Sequence, residues 1–87
     1  MKRYTIEIVP QAEKAIRKLP RELRERIDRA ILTLADDPRP PGVTKLTGYT
    51  NQYRIRVGDW RIRYAIEDDK LLVLVLVVLP RDKAYRH

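Results

Sequence analysis

The chain has 87 residues, of which 19 are lysine or arginine and 12 are aspartate or glutamate, so its formal net charge is +7. This length suits a single domain with a thin core, residues 1–87, and the absence of cysteine excludes disulfides and thiolate chemistry. A domain this basic is expected to bind nucleic acid, an acidic protein or an anionic surface.

Targeting signals and metal ligands are sparse. Met-Lys-Arg runs directly into an alternating pattern with no signal peptide, and the longest apolar run, Leu71 to Leu79, is far too short for a membrane helix. We therefore predict a cytoplasmic protein with no membrane partner. The single histidine is the last residue, His87, which leaves no zinc ligand set, and we predict no cofactor and no metal.

The first part of the chain predicts a strand followed by two helices. Tyr4 to Val9 alternates between apolar and polar residues, which is the period of a strand. Pro10 suits the first turn of a helix, and apolar residues at helical spacing continue to about Leu19. Pro20 is expected to open a second helix, whose charged face pairs acids and arginines four residues apart and indicates a solvated surface. Its apolar stripe consists of Leu23, Ile27, Ala30, Ile31 and Leu34.

The second part predicts a hairpin. Asp36 to Gly42 is a proline-rich loop, and Val43 to Gln52 has no clear periodicity. From Tyr53 to Tyr64, apolar and basic residues alternate on both sides of Gly58-Asp59. Glycine tolerates a positive φ and aspartate tolerates it better than most residues, so this pair predicts a two-residue turn.

The last predicted element is a central strand, which completes the architecture. Glu67 to Lys70 is a polar turn, and Leu71 to Leu79 is short and rich in valine, which favours a strand covered on both faces in the middle of a sheet. The order of elements predicts an α+β domain, with two N-terminal helices packed on one face of a small, mostly antiparallel four-stranded sheet (β-α-α-β-β-β). The tail beyond Pro80 is expected to emerge at one edge of the open face.

The hairpin arginines are the main chemical feature. A two-residue turn places Arg56 opposite Arg61 and Arg54 opposite Arg63, and like charges in such pairs destabilise a hairpin. The planar guanidinium matches phosphate oxygens. We interpret the four arginines as a site for a multiply charged anion; the alternative is a solvated basic face.

Few catalytic mechanisms fit this composition. The chain has no serine and three glycines, which excludes a serine nucleophile and a glycine-rich phosphate loop, and Asp68-Asp69 is interpreted as a plain turn. Arginine is a poor general base because it stays protonated, but it stabilises charge that develops on phosphoryl oxygens. RNA supplies its own nucleophile, the 2′-hydroxyl, so a protein that orients it can cleave RNA without metal. Tyr85 is a candidate for stacking on a base or for packing against the sheet.

The hairpin Tyr53 to Tyr64, the upstream Lys45-Leu46 with Gly48, and Arg81 followed by Tyr85 resemble the RelE/ParE superfamily of toxins from toxin–antitoxin systems. The resemblance implies a RelE-type mRNA interferase of a type II system. Such a toxin is a ribosome-dependent endoribonuclease that cleaves mRNA in the decoding site by 2′-hydroxyl attack on the adjacent phosphate. The implied partners are an acidic cognate antitoxin, the ribosome and mRNA.

The resemblance also implies roles for individual residues. Arg61 matches the strand arginine that stabilises the transition state, and Arg81 matches the arginine placed at the scissile phosphate or leaving group. Arg54 and Arg56 fall at positions that are often basic in RelE-type toxins, and Tyr85 matches a tail tyrosine that stacks on or orients the substrate. The further residues expected to bind RNA are Lys45, Arg63, Lys83 and Arg86.

Two departures from the family pattern concern proton transfer. Leu79-Pro80 stands where many relatives have Gly-His, and arginine replaces the common lysine at positions 54 and 56. The general acid and base are therefore unassigned. Two alternatives stay open: a ParE-type toxin that inhibits gyrase, and a non-catalytic relative that binds RNA or the ribosome.

Overall fold

The computed structural model describes residues 3–81 and confirms the α+β class. Two helices pack on one face of a sheet, and within residues 3–81 neither helix is long and apolar enough to cross a membrane. The elements in chain order are β1 (Thr5–Ile8), α1 (Pro10–Arg17), α2 (Arg21–Thr33), β2 (Thr44–Lys45), β3 (Gln52–Val57), β4 (Trp60–Glu67), a 3₁₀ turn (Asp68–Lys70) and β5 (Leu72–Pro80).

The sheet has the strand order β1-β5-β4-β3-β2. β1 runs parallel to β5, and every other neighbouring pair is antiparallel, so the mostly antiparallel prediction is confirmed. The predicted count of four strands is one too low because it does not include β2. This strand has only two residues, and a segment that short carries no periodicity for a sequence to reveal.

Both helices begin where the prolines indicated. Pro10 is the first residue of α1, and Pro20 directly precedes α2. The first helix ends at Arg17 rather than near Leu19, because the Leu19 amide already donates to the Ile16 carbonyl in a tighter turn (3.1 Å). The predicted apolar stripes are confirmed: the helical side chains that are buried against the sheet are Ala12, Ile16, Ile27 and Ile31, continued by Leu34.

The hairpin of β3 and β4 has the predicted register. Val57 pairs with Trp60 across a two-residue turn, and Gly58 has a φ of 59°. From Tyr53 to Tyr64 its apolar side chains are buried under the helices, with the exception of the half-buried Trp60. A Cβ atom on Gly58 would lie 3.1 Å from a guanidinium nitrogen of Arg26. This arginine of α2 therefore lies against the hairpin turn.

The prediction that the last strand is covered on both faces is wrong. Val73, Val75 and Val78 face the helices and are buried, whereas the residues that face the other way are only partly buried. A register shift opposite Arg63 and Tyr64 leaves Leu76 as an extra residue in β5. The apolar run therefore serves two purposes: one face joins the core, and the other stays partly open beside the arginines.

A polar cluster fixes the end of the sheet opposite the hairpin turn. Arg39 forms a two-pronged ion pair with Asp68, with nitrogen–oxygen distances of 2.8 Å and 3.2 Å, and donates to the Tyr53 hydroxyl. The Asp68 hydrogen bond raises the pKa of Arg39. The Tyr4 hydroxyl donates to the same carboxylate, and this second hydrogen bond raises the pKa of Tyr4. The buried Tyr64 hydroxyl donates to the Pro38 carbonyl (2.7 Å). These contacts anchor the proline-rich loop that leads into β2.

Candidate functional site

The open face of the sheet carries the four hairpin arginines. Arg56 lies opposite Arg61, and Arg54 lies opposite Arg63, as the sequence predicted. This placement follows from the strand period, because the alternate apolar residues of β3 and β4 are buried beneath the helices. Two pairs of like charges are thus held on adjacent strands.

Arg61 is the most deeply placed of the four, with 6% of its surface exposed. Its Nη1 donates to the carbonyl oxygens of Trp60 (3.2 Å) and Gly58 (3.5 Å). A buried charge is costly unless polar groups surround it, and these carbonyl dipoles supply part of that environment. The guanidinium is therefore held in place before any ligand arrives, which is the condition for effective electrostatic stabilisation.

Arg63 is oriented by two residues that sequence reasoning missed. Its Nε donates to the side-chain oxygen of Gln52 (2.8 Å), and its guanidinium carbon lies 4.6 Å from the centre of the Tyr49 ring. Both partners fall in or beside the segment Val43 to Gln52, which has no clear periodicity. The one available signal was an aromatic residue in a polar loop just before the basic hairpin.

A groove of about 460 Å³ lies over this face. Its walls are basic and its floor is apolar, because β5 contributes Val77 and Leu79. The remaining lining residues are Leu46, Thr47, Tyr49, Arg54, Arg61 and Arg63. Its volume falls within the usual range for small-molecule sites, roughly 300–1,000 Å³. The partly open face of the last strand is thus the floor of this groove.

A second cavity of about 220 Å³ adjoins it and is lined by Gly42, Thr44, Arg54, Ile55, Arg56 and Arg61. Arg54 and Arg61 line both cavities. They therefore stand between the two, where one extended polyanion can contact both arginines.

Arg81 lies at the hairpin turn. Its backbone N–H donates to the Asp59 carbonyl (2.7 Å), and the preceding Pro80 pairs with Trp60. Arg81 is exposed. The end of the last strand therefore brings this arginine to the end of the sheet where Arg61 lies.

Lys45 is not brought together with the arginines. It pairs with Tyr53, whereas the neighbouring Thr44 pairs with Arg54. Because directly opposed residues point to the same face of a sheet, Lys45 lies on the helix side at the edge of the sheet. The predicted tail residues Lys83, Tyr85 and Arg86, and also His87, lie outside the described residues.

Comparison with known proteins places the chain among toxins. The family model for the ParE toxin of the type II toxin–antitoxin system parDE matches residues 6–85. A Methanocaldococcus jannaschii relative named "Putative toxin RelE1" is 25% identical over 88 residues, which is 98% of each chain.

Two solved structures are similar to this chain over nearly its whole length. A chain of the archaeal RelE–RelB complex from Pyrococcus horikoshii OT3 has a TM-score of 0.83 and 29% identity, with 100% of each chain covered. A double arginine-to-alanine mutant of the E. coli toxin RelE in the free state has a TM-score of 0.80 and 26% identity, covering 94% of this chain and 87% of that one.

Proposed function

The chain belongs to the ParE toxin family of type II toxin–antitoxin systems, and from that premise we propose that it is a RelE-type mRNA interferase. In this proposal it cleaves mRNA in the decoding site of the ribosome and so blocks translation. The observation that supports this most directly is the buried, carbonyl-oriented Arg61 at the meeting point of two arginine-lined cavities. A toxin that acted only by protein contact would not need a preorganised phosphate site.

The proposed reaction uses the nucleophile of the RNA. The 2′-hydroxyl loses its proton as its oxygen attacks the adjacent phosphorus, and the bond from phosphorus to the 5′-oxygen breaks. The products are a 2′,3′-cyclic phosphate and, once the 5′-oxygen has taken up a proton, a 5′-hydroxyl. Arg61 stabilises the negative charge that develops on the phosphoryl oxygens, while Arg54, Arg56 and Arg63 hold the backbone phosphates. No metal is needed because the cations are supplied by arginine.

Arg81 is proposed to act at the leaving group. Its backbone is fixed to the Asp59 carbonyl at the hairpin turn, so its position is tied to that of Arg61 in β4. Arginine does not readily release a proton, and its contribution is therefore the stabilisation of charge at the 5′-oxygen. Tyr85, Lys83 and Arg86 stay predicted contributors to substrate binding.

An acidic antitoxin is the proposed protein partner. The Pyrococcus horikoshii OT3 structure is a complex of RelE with RelB. The net charge of +7 favours association with a negatively charged partner. An antitoxin that covers the arginine-lined groove would compete directly with RNA.

The test is cleavage of ribosome-bound mRNA by the wild type, Arg61→Ala and Arg81→Ala. Removal of one charge-stabilising donor is expected to lower the rate roughly 10²- to 10³-fold. Arg17→Ala is the matched control: it also removes one positive charge, but Arg17 is paired with Glu13 on α1 (2.6 Å) and should leave the rate unchanged. Equal cleavage by all variants, or none by the wild type, would contradict the proposal.

A second candidate follows from the family model, which carries the ParE description. A ParE-type toxin inhibits gyrase and cleaves no RNA. A DNA supercoiling assay distinguishes the two, because the interferase should leave gyrase active at concentrations that degrade ribosome-bound mRNA. Salt-dependent RNA binding without cleavage would instead indicate a non-catalytic relative.

A further inference from the structure

We propose that Tyr49, held by Arg63, is a stacking platform for one nucleobase of the RNA substrate. In this arrangement the groove takes a whole nucleotide, with its base on the Tyr49 ring and its phosphate at Arg54 and Arg61. The inference rests on the proposed function and extends it to a loop residue outside the hairpin.

Exposure is the first observation. Within residues 3–81, the large hydrophobic side chains that are exposed are Leu32 and Tyr49, at 59% and 47%. Leu32 lies on α2, whereas Tyr49 lines the arginine groove. An aromatic ring left in solvent gives up free energy of burial, and its position in the wall of a basic groove makes the exposed part of the ring available to a ligand.

The contact with Arg63 makes this ring a defined surface. The guanidinium carbon lies 4.6 Å from the ring centre and therefore occupies one face of Tyr49. Gln52 holds the same guanidinium through its Nε (2.8 Å), so Arg63 has little freedom to swing away. The exposed remainder of the ring is a flat surface on which a base can stack, and the nearby cation strengthens such stacking.

The composition of the groove fits a nucleotide. A nucleotide joins a flat, weakly polar base to a charged phosphate through a sugar. The groove presents surfaces of matching kinds: the Tyr49 ring, the apolar side chains of Val77 and Leu79, and the guanidinium groups of Arg54 and Arg61. Stacking also tolerates every base, since each has a π face, and this suits a substrate whose sequence varies.

An acidic segment of an antitoxin would also be attracted to these arginines. A peptide carboxylate, however, gains little from an aromatic ring whose face is fixed by a neighbouring guanidinium, whereas a base gains a stacking surface. RNA is therefore the occupant that the Tyr49–Arg63 pair favours. Binding of the peptide becomes one outcome of the test.

The test is a double-mutant cycle between protein and ligand. The wild type, Tyr49→Phe and Tyr49→Ala are titrated with a short single-stranded RNA and with versions that lack one base at a time. We expect Tyr49→Ala to weaken binding of the intact RNA roughly 5- to 150-fold, and Tyr49→Phe to bind like the wild type. At one position, loss of the base should weaken binding by the wild type and cause no further loss in Tyr49→Ala.

Leu32→Ala is the control, because Leu32 is the other exposed large hydrophobic side chain within residues 3–81 and does not line the groove; this variant should bind RNA like the wild type. The proposal is overturned if every base deletion affects the wild type and Tyr49→Ala equally. It is also overturned if the wild type fails to bind the intact RNA, or if Tyr49→Ala weakens binding of an acidic antitoxin peptide only.

The binding cycle needs neither the ribosome nor catalysis, so it is read independently of the cleavage assay. A protein that shows the Tyr49-dependent base effect but cleaves no ribosome-bound mRNA contradicts the proposed function and supports the stacking platform. A protein that cleaves mRNA equally well with Tyr49→Ala, and shows no base effect, contradicts the platform alone.

Discussion

Arg56 and Arg61 face each other across the hairpin and donate to the same acceptor, the carbonyl oxygen of Gly58, at 3.3 Å and 3.5 Å. The partial negative charge of this carbonyl lies between two cations and offsets part of their repulsion. It cannot remove the repulsion, because a peptide dipole is weaker than a full charge. The hairpin therefore retains electrostatic repulsion between Arg56 and Arg61, which a bound anion would reduce.

Arg56→Gln should show directly how much the repulsion between Arg56 and Arg61 destabilises the fold. Removing one of two directly opposed like charges is expected to raise the free energy of unfolding, by up to about 1 kcal/mol. Arg56 is exposed and Arg61 is not, so salt screens their repulsion only in part, and added salt should stabilise the wild type slightly more than the variant. Urea unfolding at low and high salt measures both effects.

Arg21→Gln is the control for Arg56→Gln. Arg21 forms an exposed i,i+4 ion pair with Glu25 (3.3 Å), and the same substitution there should lower stability slightly, by about 0.3–0.5 kcal/mol. A clear loss of stability in Arg56→Gln would mean that the bond to Gly58 outweighs the repulsion, which contradicts the prediction.

Arg61→Lys tests whether a positive charge at this position is sufficient for cleavage of mRNA. Lysine keeps the positive charge and an apolar stem but lacks the planar fork, whose Nη1 donates to two carbonyls and which in the proposed site also binds a phosphate. We expect cleavage of ribosome-bound mRNA to fall about 10²-fold or more, while the urea midpoint stays close to that of the wild type. Arg17→Lys should cleave normally. Wild-type cleavage by Arg61→Lys would show that a point charge is enough.

The parts of the fold that were predicted correctly depend on local pattern. Period-two alternation and a two-residue turn determine the register of β3 and β4, and hence the opposed arginines. The parts that were missed depend on tertiary pairing. β2 forms only because β3 supplies its partner, and Arg39 meets Asp68 across 29 residues of sequence, a distance over which no spacing rule applies.

In the candidate site, too, the residues set by local sequence pattern were predicted and those set by tertiary contact were not. The four arginines were predicted because they share one strand face, whereas Tyr49 and Gln52 enter the site through a loop whose path no periodicity describes. The last strand gave a different error: a continuous apolar run was interpreted as burial on both faces. An apolar groove floor produces the same sequence, since partial cover by a ligand and full cover by a helix both favour leucine and valine.

Gly58→Ala should destabilise the hairpin mainly through the backbone. A φ of 59° costs a residue with a Cβ atom roughly 1–2 kcal/mol. Gly48→Ala is the matched control, because Gly48 has a φ of 88° and no atom within 4 Å of the added Cβ. The closeness of Arg26 at Gly58 should add little, since the end of that side chain can move. Urea unfolding of Gly58→Ala, of Gly48→Ala and of the double variant Gly58→Ala/Arg26→Ala measures the loss of stability in each. Wild-type stability in the double variant would mean that the loss comes from the contact with Arg26, and it would contradict a backbone origin.

Tyr64→Phe should be the costliest removal of a single oxygen atom among these variants. Tyr64 is fully buried, and its hydroxyl donates to the Pro38 carbonyl over 2.7 Å. Removing the donor leaves a buried acceptor without that partner, which costs about 1–3 kcal/mol. Tyr49→Phe removes the same atom from an exposed ring and should change stability by less than about 0.5 kcal/mol. Equal urea midpoints for the two variants would contradict the role of this hydrogen bond.

The same hydroxyl predicts how stability changes in alkali. Burial raises the pKa of the Tyr64 hydroxyl above its ordinary value of 10.0, so above that pH the unfolded chain releases a proton that the folded chain still holds. The stabilising contribution is complete below pH 10.0 and is lost as the pH rises through the raised value. Tyr64→Phe lacks this group, and its unfolding free energy should therefore fall less steeply than that of the wild type above pH 10.0. Urea titrations of both proteins on each side of that pH measure the two slopes, and parallel slopes would show that Tyr64 is not the group responsible.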